Sequence, residues 1–307
     1  MKVSTTYLFD RAVDQMAQGQ TRLAKSQAQL ASSKQVNSPS DAPDQAATIE
    51  RFKSMIGRQD SYETALNMVS NRLQAEESAL SGVSDLMLRM KELAIQAAND
   101  TMGAADRKVL AIEMQGLRDQ ALSLANSKDS SGNYIFGGSR VKSPPFVADN
   151  NGNPTYQGDQ TQMRVSVGDQ RSVLLNRSGT ETFTSVVRTN EKGDTTGVGF
   201  FQVIDEVIAG MRDGHPEKVR SGMNELDQLQ NALSLSLAEV GTDQNVLESQ
   251  QTVLDDTRLS LKTVLSGIED LDYAKAITEM NKQVLSLEAA QSSFAKISQL
   301  NLFNYIN

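Results

Sequence analysis

The sequence predicts a mainly α protein with a small β insert. Both ends of the chain should form a long antiparallel coiled-coil-like helical bundle, capped by a central β-rich domain. Three observations predict this fold class: an unbroken heptad series in the second half of the chain, a second long heptad pattern in the first half, and a Gly-, Asn-, Thr- and Val-rich stretch between them. Composition agrees, because aromatic residues make up only 5% of the 307 residues and tryptophan is absent, which suits a rod with a thin apolar stripe better than a thick globular core.

Charge and cysteine content narrow the function classes. The net charge is −8 and there is no basic block, so we expect no nucleic-acid partner and no anionic membrane partner. The absence of cysteine excludes disulfides, thiolate catalysis and cysteine zinc sites. Residues 1–6 begin no apolar run of signal-peptide length, so an extracellular protein with this start would leave the cell without a cleaved signal peptide.

The first element is an amphipathic helix whose apolar stripe is incomplete. The stripe consists of Val13, Met16, Leu23 and Leu30. Gln20 and Gln27 occupy the same register, so the helix should be marginal on its own. The segment 37–44, with prolines at both Pro39 and Pro43, should break the helix and restart it, with Ser40 or Asp41 as the N-cap.

A longer helix follows over 49–97. Its seven-residue register is carried by Leu66, Val69, Leu73, Leu80 and Val83, continuing to Ala97. Glu76 interrupts the stripe, and Glu76 with Glu77 is expected to lie on a solvated face or in ion pairs between subunits. The segment 99–103 should end this helix, and a third helix should cover 110–124.

The stretch from about 129 to 199 changes character. Short strands are predicted at 163–167 and 172–175, with a turn at 168–169. We expect this insert to contribute little to the long helical stripes, so that removal of 142–196 would preserve the helical body.

The second half contains a helix roughly 70 Å long, from 226 to 271. Its unbroken apolar series is Leu226, Leu233, Val240, Leu247, Leu254, Leu261 and Ile268. The interleaved series is polar in its middle, from Ser236 to Thr257, which predicts that neighbouring helices or subunits bring polar groups there. Antiparallel pairing with the 49–97 helix would bury both apolar stripes as an intramolecular seam.

A last helix runs almost to the end of the chain. Its apolar face consists of Met280, Val284, Leu287, Phe294 and Ile297. We predict that this face meets that of the first helix in a subunit interface. The expected division is 1–40 plus 272–307 (terminal coiled coil), 41–130 plus 200–271 (helical bundle) and 131–199 (β-rich outer domain).

No residue pattern indicates catalysis, a metal or a cofactor. His215 is the only histidine and should lie in a turn before a helix. The 149–153 segment lacks the glycine placement and distal glutamate of a calcium loop, so it predicts a β-turn. Residues 176–178 spell a glycosylation sequon, without other signs of the secretory pathway that would use it.

Several short motifs are similar to those of the flagellin family of axial proteins. The segment 34–47 resembles the connection between the two N-terminal helices of that family, and Leu271-Asp272-Tyr273-Ala274 is shared widely within it. The prolines within 39–43, the 132–138 motif and the 296–306 ending are more similar to the family's hook–filament junction members than to flagellin itself.

This resemblance implies a secreted structural subunit of the bacterial flagellum. It would form a ring of about eleven copies between hook-associated protein 1 on the hook side and the flagellin filament. Export would use the flagellar type III apparatus, with a chaperone on the C-terminal region. The terminal helices would be disordered in the free chain and would order on assembly.

Other functions remain open from the sequence. A short flagellin that forms the filament itself is the main alternative. A flagellin-like chain with a metalloprotease in its middle would need a His-Glu-x-x-His helix, which a chain with one histidine cannot supply. A secreted coiled-coil effector of a type III system is weaker, because the apolar membrane hairpin usual in that class is missing.

Overall fold

The structure is a computed structural model and describes residues 2–149, 152–189 and 195–303. The helices are α1 (Lys2–Ser32), α2 (Pro43–Ala97), α3 (Ala104–Ala125), α4 (Gly179–Thr182), α5 (Phe200–Asp213), α6 (Pro216–Glu269) and α7 (Tyr273–Phe303). The strands are β1 (Phe146–Ala148), β2 (Pro154–Tyr156), β3 (Arg164–Ser166), β4 (Ser172–Leu174), β5 (Val186–Thr189) and β6 (Thr195–Val198). The predicted class, mainly α with a small β insert, is confirmed.

The chain divides into two compact units. The terminal unit comprises Met1–Arg58 and Asp256–Asn307, and the central unit comprises Gln59–Asp255. The terminal unit is built from the two ends of the chain, and the central unit is built from its middle.

In the central unit, α2 and α6 run antiparallel. The Nε2 atom of Gln230 donates to Ser84 Oγ at 2.7 Å, and Nε2 of Gln244 donates to Glu77 Oε2 at 2.7 Å. The residue that comes later in α6 thus bonds the residue that comes earlier in α2, as antiparallel helices require. The apolar residues of both heptad series within this unit are at most 5% exposed: Leu66, Val69, Leu73, Leu80, Val83, Leu226, Leu233, Val240, Leu247 and Leu254. Leu261 and Ile268 belong to the terminal unit, where Leu261 is buried and Ile268 is half-buried.

The β segment consists of antiparallel pairs. Strands β1 and β2, β3 and β4, and β5 and β6 each form a two-stranded ribbon. The 163–167 and 172–175 prediction corresponds to β3 and β4, with Val165 opposite Val173. Ile135 and Phe136, which precede β1, are buried in the core of the unit.

Aromatic rings join the β segment to α5. Phe183 packs edge-on against Phe136 and Phe200 with ring centroids 5.2 and 5.3 Å apart, and Phe146 packs against Phe201 at 5.3 Å. Edge-to-face pairs of this kind stabilise a core beyond their area alone. Three of these five rings, those of Phe136, Phe146 and Phe183, precede α5 in the chain, so the insert supplies part of the core against which α5 packs, and the outcome of deleting 142–196 stays a prediction.

Two Asp-x-x-Gly-Asn segments of the central unit, 129–133 and 149–153, share one hydrogen bond and one glycine conformation among their described residues. Asp129 and Asp149 each bond the backbone N–H of an asparagine four positions later through Oδ1, at 2.9 Å in both loops. The glycine before that asparagine has a left-handed backbone in both cases, with φ of 77° at Gly132 and 86° at Gly152. The β-turn predicted at 149–153 is thus one of a matched pair of Asp-x-x-Gly-Asn turns.

In the terminal unit, α1 and α7 run antiparallel. The rings of Phe9 and Phe294 lie 4.8 Å apart between centroids, and Ser26 Oγ donates to Gln283 Oε1 at 3.0 Å. Among the described side chains of this unit, the buried ones are Ser26, Ile49, Leu261 and Glu269. Two of these four are polar, so a single copy gives this unit almost no apolar core.

Two helix boundaries differ from the sequence predictions. The α6 helix ends at Glu269 rather than at 271, because 270–272 form a break before α7. Asp41 was expected to be a possible N-cap for α2. Instead its Oδ2 accepts the N–H groups of Asn37 and Ser38, at 3.1 and 2.9 Å, and so closes a turn before the helix.

Candidate assembly surface

The predicted interface residues lie along the contact between α1 and α7. Gly19 on α1 approaches Leu287 so closely that an added Cβ would sit 3.4 Å from its Cδ1. The side chains of Met16, Leu23, Leu30, Met280, Val284, Leu287 and Phe294 are half-buried. Val13 is 41% exposed, and the side chain of Ile297 lies outside the described residues. The pairing face therefore brings these apolar groups together without covering them.

The breaks at the inner ends of these helices lie side by side. Gln35 N donates to Glu269 O at 2.8 Å, and Leu271 N donates to Ser33 O at 3.0 Å. Together they form a one-residue antiparallel bridge between Lys34 and Asp270. Backbone hydrogen bonds, rather than apolar packing, thus connect the two ends of the chain here.

Charged groups reinforce this connection. The Glu269 carboxylate forms one ion pair with Lys34 Nζ at 2.8 Å and another with Lys53 Nζ at 3.0 Å. Although burial alone would raise it, the pKa of Glu269 is lowered because both ammonium groups bind the carboxylate. Glu269 consequently stays ionised at neutral pH.

A second ion pair lies at the start of α2. Lys25 Nζ, from α1, contacts Asp41 Oδ1 at 2.9 Å. The Lys25 ammonium, with the N–H groups of Ser38 and Asn37, lowers the pKa of Asp41 to about 2.

The central unit buries one carboxylate that was predicted from the sequence to lie on a solvated face or in ion pairs between subunits. Glu76 is 1% exposed, and Arg177 Nη1 contacts its Oε1 at 3.2 Å. Arg177 also bonds Asp243 of α6 through Nη2. The expectation of a solvated Glu76 is therefore wrong: the helix position that interrupts the apolar stripe is occupied by a carboxylate because an arginine from the β segment reaches it.

Electrostatics in this cluster follow from burial. Burial raises the pKa of Glu76, and the nearby arginines oppose that effect only in part. Burial would lower the pKa of Arg177, but Glu76 and Asp243 more than offset this and raise it. Asp243 belongs to the polar middle of the second α6 series, so the polar group expected there comes from the same chain.

A neighbouring arginine attaches the start of the β segment to α2. Arg72 Nη1 bonds Asp129 Oδ2 at 3.0 Å, and its Nη2 donates to the carbonyl of Ile135 at 2.9 Å. Arg72 and Glu76 are one turn apart on α2, so both bind parts of the same segment. Sequence reasoning missed both arginine contacts. For Arg177 the available signal was an acidic residue on each apolar helix face, Glu76 on α2 and Asp243 on α6, which required a cation from elsewhere.

The remaining candidates have structural roles or none. His215 Nδ1 contacts Glu217 Oε1 at 3.0 Å at the start of α6. Asn176 of the sequon is 1% exposed, and its amide bonds the backbone of Met163 and Thr161, so it is a packing residue. Within the part of the chain that the structure describes, no three His, Cys, Asp or Glu residues are grouped to hold a metal ion.

Among the described residues, none of the helices combines the length and the apolar character needed to cross a membrane.

Two family models match the helical ends of the chain. The bacterial flagellin N-terminal helical region matches residues 3–140, and the bacterial flagellin C-terminal helical region matches residues 223–306. Together these matches take in all but the first residue of α1, all of α2, α3 and α7, and most of α6.

Individual relatives align over nearly the whole chain. It is 28% identical over 317 residues to the flagellar hook-associated protein 3 of Escherichia coli (strain K12), covering 99% of each chain. It is 23% identical over 304 residues to the flagellin of Listeria monocytogenes, covering 98% of this chain and 96% of that one. The solved structure of Xanthomonas campestris FlgL is similar in fold, with a TM-score of 0.63 and 22% identity over 71% of this chain and 99% of that chain.

Proposed function

The chain belongs to the bacterial flagellin family, and on this basis we propose that it is a structural subunit of the flagellum that forms the junction between hook and filament. Members of this family are structural proteins, and this chain is not an enzyme. Whole-length similarity to a hook-associated protein 3, at a higher identity than to the flagellin, favours the junction over the filament itself.

One geometric observation carries the proposal: the terminal pair α1/α7 leaves its apolar face half-exposed. Burial of apolar surface stabilises a protein by about 25 cal/mol per Å². Because this face stays half-exposed in one chain, a single copy gains only part of that stabilisation. Other copies, placed around a common axis, would cover the remainder. Assembly therefore orders the terminal helices and stabilises them in the same step.

The partners follow from this position in the flagellum. The subunit forms a ring of about eleven copies, with hook-associated protein 1 on the hook side and flagellin on the other. A chaperone holds the C-terminal region before export through the type III apparatus, without a cleaved signal peptide. The division into a terminal coiled coil (1–40, 272–307), a helical bundle (41–130, 200–271) and an outer β-rich domain (131–199) is the functional division within this role.

A strain that lacks this chain tests the junction role directly. Electron microscopy should show hooks without filaments, and flagellin should appear in the medium. Intact filaments would exclude the junction role. Loss of the main filament protein band would instead indicate that the chain is a short flagellin.

The α1/α7 face can be tested by one substitution. Leu287→Asp places a charge on the pairing face, and the cost of burying it should stop ring assembly. The central unit does not contain this residue, so its stability should change by less than about 0.5 kcal/mol. Ser292→Asp adds the same charge to an exposed position of α7 and is the matched control. Normal filaments in the Leu287→Asp strain would contradict the assignment of this face.

A further inference from the structure

The two helix breaks of the terminal unit are joined in one place. One break separates α1 from α2 and the other separates α6 from α7. Gln35 bonds the backbone of Glu269 through its N–H and also donates from Nε2 to the carbonyl of Ile268 at 2.6 Å. We call the residues 33–35 and 268–273 the joint.

The joint contains an unusual backbone conformation. Ser33 has φ of 62°, the only non-glycine residue in the described parts of the chain with a positive φ. This left-handed conformation is costly for a residue with a Cβ and persists where surrounding contacts impose it. Here the Ser33 carbonyl accepts from Leu271 N, and its Oγ is hydrogen-bonded to the Tyr273 hydroxyl.

A single carboxylate connects the two segments of the joint with each other and with α2. Glu269 ends α6, Lys34 comes from the break after α1, and Lys53 comes from α2. The Glu269 side chain is only 8% exposed, so loss of its charge would leave two ammonium groups without their main partner. Of the other acids nearby, Glu50 is 3.8 Å from Lys53, and the carboxylate of Asp270 is bound by Ser266 Oγ.

We propose that the joint is a locked hinge for the terminal helix pair, and that Glu269 between Lys34 and Lys53 is its lock. Both chain segments that lead into α1 and α7 pass through it, so the pair turns as one body when the lock opens. The lock fixes the direction in which the pair leaves the start of α2 and the end of α6.

Apolar packing does not fix that direction. Glu269 is one of only four buried side chains among those described in the terminal unit, and Ser26 is another. Hydrogen bonds and ion pairs can hold a joint at one angle. Breaking them costs less free energy than separating the side chains of an apolar core. This role rests on the proposed function, because a junction subunit contacts a different protein on each side and needs its terminal helices at a defined angle.

Amide hydrogen exchange in the assembled full-length protein, in which the terminal helices are ordered, tests the lock. The N–H groups of Gln35 and Leu271 report on the joint because each is bonded across it. Glu269→Gln keeps the size and removes the charge, and these two amides should then exchange at least about tenfold faster. Glu50→Gln removes an exposed carboxylate from the same Lys53 and should change them by less than about twofold.

Reversal of the charges separates a lock from a merely structural residue. Lys34→Glu and Lys53→Glu combined with Glu269→Lys restore opposite charges at the same positions, and protection of both amides should return. Amides in the central unit serve as the folding control for every variant. Unchanged exchange in Glu269→Gln, or wild-type joint amides as fast as exposed ones, would overturn the proposal.

The hinge and the proposed function can fail separately. Filaments in a strain without this chain would remove the junction role but would leave the exchange result intact. Unprotected joint amides alongside hooks that lack filaments would remove the locked hinge and keep the junction role.

Discussion

Arg177 joins the two long helices of the central unit through their carboxylates. It occupies the polar gap in the α2/α6 stripe and binds Glu76 from α2 and Asp243 from α6. Glu76 Oε2 has no hydrogen-bond partner in the structure, so the carboxylate already receives less than its full set of contacts. Loss of the arginine would leave a buried charge unpaired.

We expect Arg177→Met to lower the free energy of unfolding of the central unit by about 3–5 kcal/mol, the usual cost of breaking a buried pair from one side. Urea denaturation followed by circular dichroism measures this. Arg171→Met, at an exposed position of the same segment, should change stability by less than about 0.5 kcal/mol. Adding Glu76→Leu to Arg177→Met should restore most of the loss, because a pair of apolar residues fits the seam. Equal effects of the two arginine substitutions would refute this account.

Two glycines of α6 should respond oppositely to alanine. A Cβ on Gly222 would lie 2.4 Å from Val207 Cγ2, and Val207 is buried and cannot move aside, so Gly222→Ala should cost about 1–3 kcal/mol. Nothing lies within 4 Å of a Cβ on Gly241, so Gly241→Ala should gain about 0.5–1 kcal/mol from helix propensity. Thermal unfolding of the two variants gives the signs, and destabilisation by both would contradict the close approach of α5 and α6.

Single residues were the hardest part to predict from the sequence. Periodicity shows that Glu76 breaks an apolar stripe, but it does not show which distant side chain forms an ion pair with it. Arg177 lies in an irregular segment, which has no repeating pattern from which the direction of a side chain could be predicted. The contact could be found only once the fold had brought the segment over α2 and α6.

At the scale of elements, the long helices were predictable because their apolar register repeats over many turns. The turn between β3 and β4 was predictable from its glycine and aspartate. The start of α2 and the end of α6 were less predictable, because Asp41 and residues 270–272 act through contacts with distant residues. The paired Asp-x-x-Gly-Asn loops had a visible signal in the repeated spelling of 129–133 and 149–153, which the sequence analysis did not use.

Asp41 makes the start of α2 sensitive to acid. Its folded-state pKa of about 2 lies below the ordinary value, so its contribution to stability is complete above the unfolded pKa of about 4 and is lost as pH falls through the folded one. Asp41→Asn keeps the side-chain shape without the charge. The melting temperature of the wild-type chain should therefore approach that of the variant between about pH 4 and pH 2. A difference that stays constant over this range would show that the Lys25 pair contributes nothing.

At the scale of the whole molecule, the two units differ in how much apolar surface they bury. The central unit holds nearly all of the buried apolar side chains among the described residues, while the terminal unit holds Ile49 and Leu261. The sequence indicated this contrast through the glutamines in the register of the first helix. It could not give the division of α2 and α6 between the units, because their heptads continue across it.

Heating of the assembled full chain, in which the terminal helices are ordered, should therefore remove the helical signal in two steps. The first step belongs to the terminal unit, whose helices have little apolar support in one copy, and the second belongs to the central unit. Circular dichroism of the full chain and of a chain limited to 59–255 measures this, and the shorter chain should show only the upper step. A single transition in the full chain, at the temperature of the shorter chain, would contradict it.

The arginine that fills the α2/α6 stripe also limits how the outer segment can be exchanged in evolution. A replacement for 131–199 that lacks a cation in the place of Arg177 would leave Glu76 and Asp243 unmatched, however well it folded by itself. The helical body and its insert are thus inherited as a pair, and a chimera needs either the incoming arginine or an apolar residue in the place of Glu76. Position 177 of the segment therefore cannot change independently of the two helices that it joins.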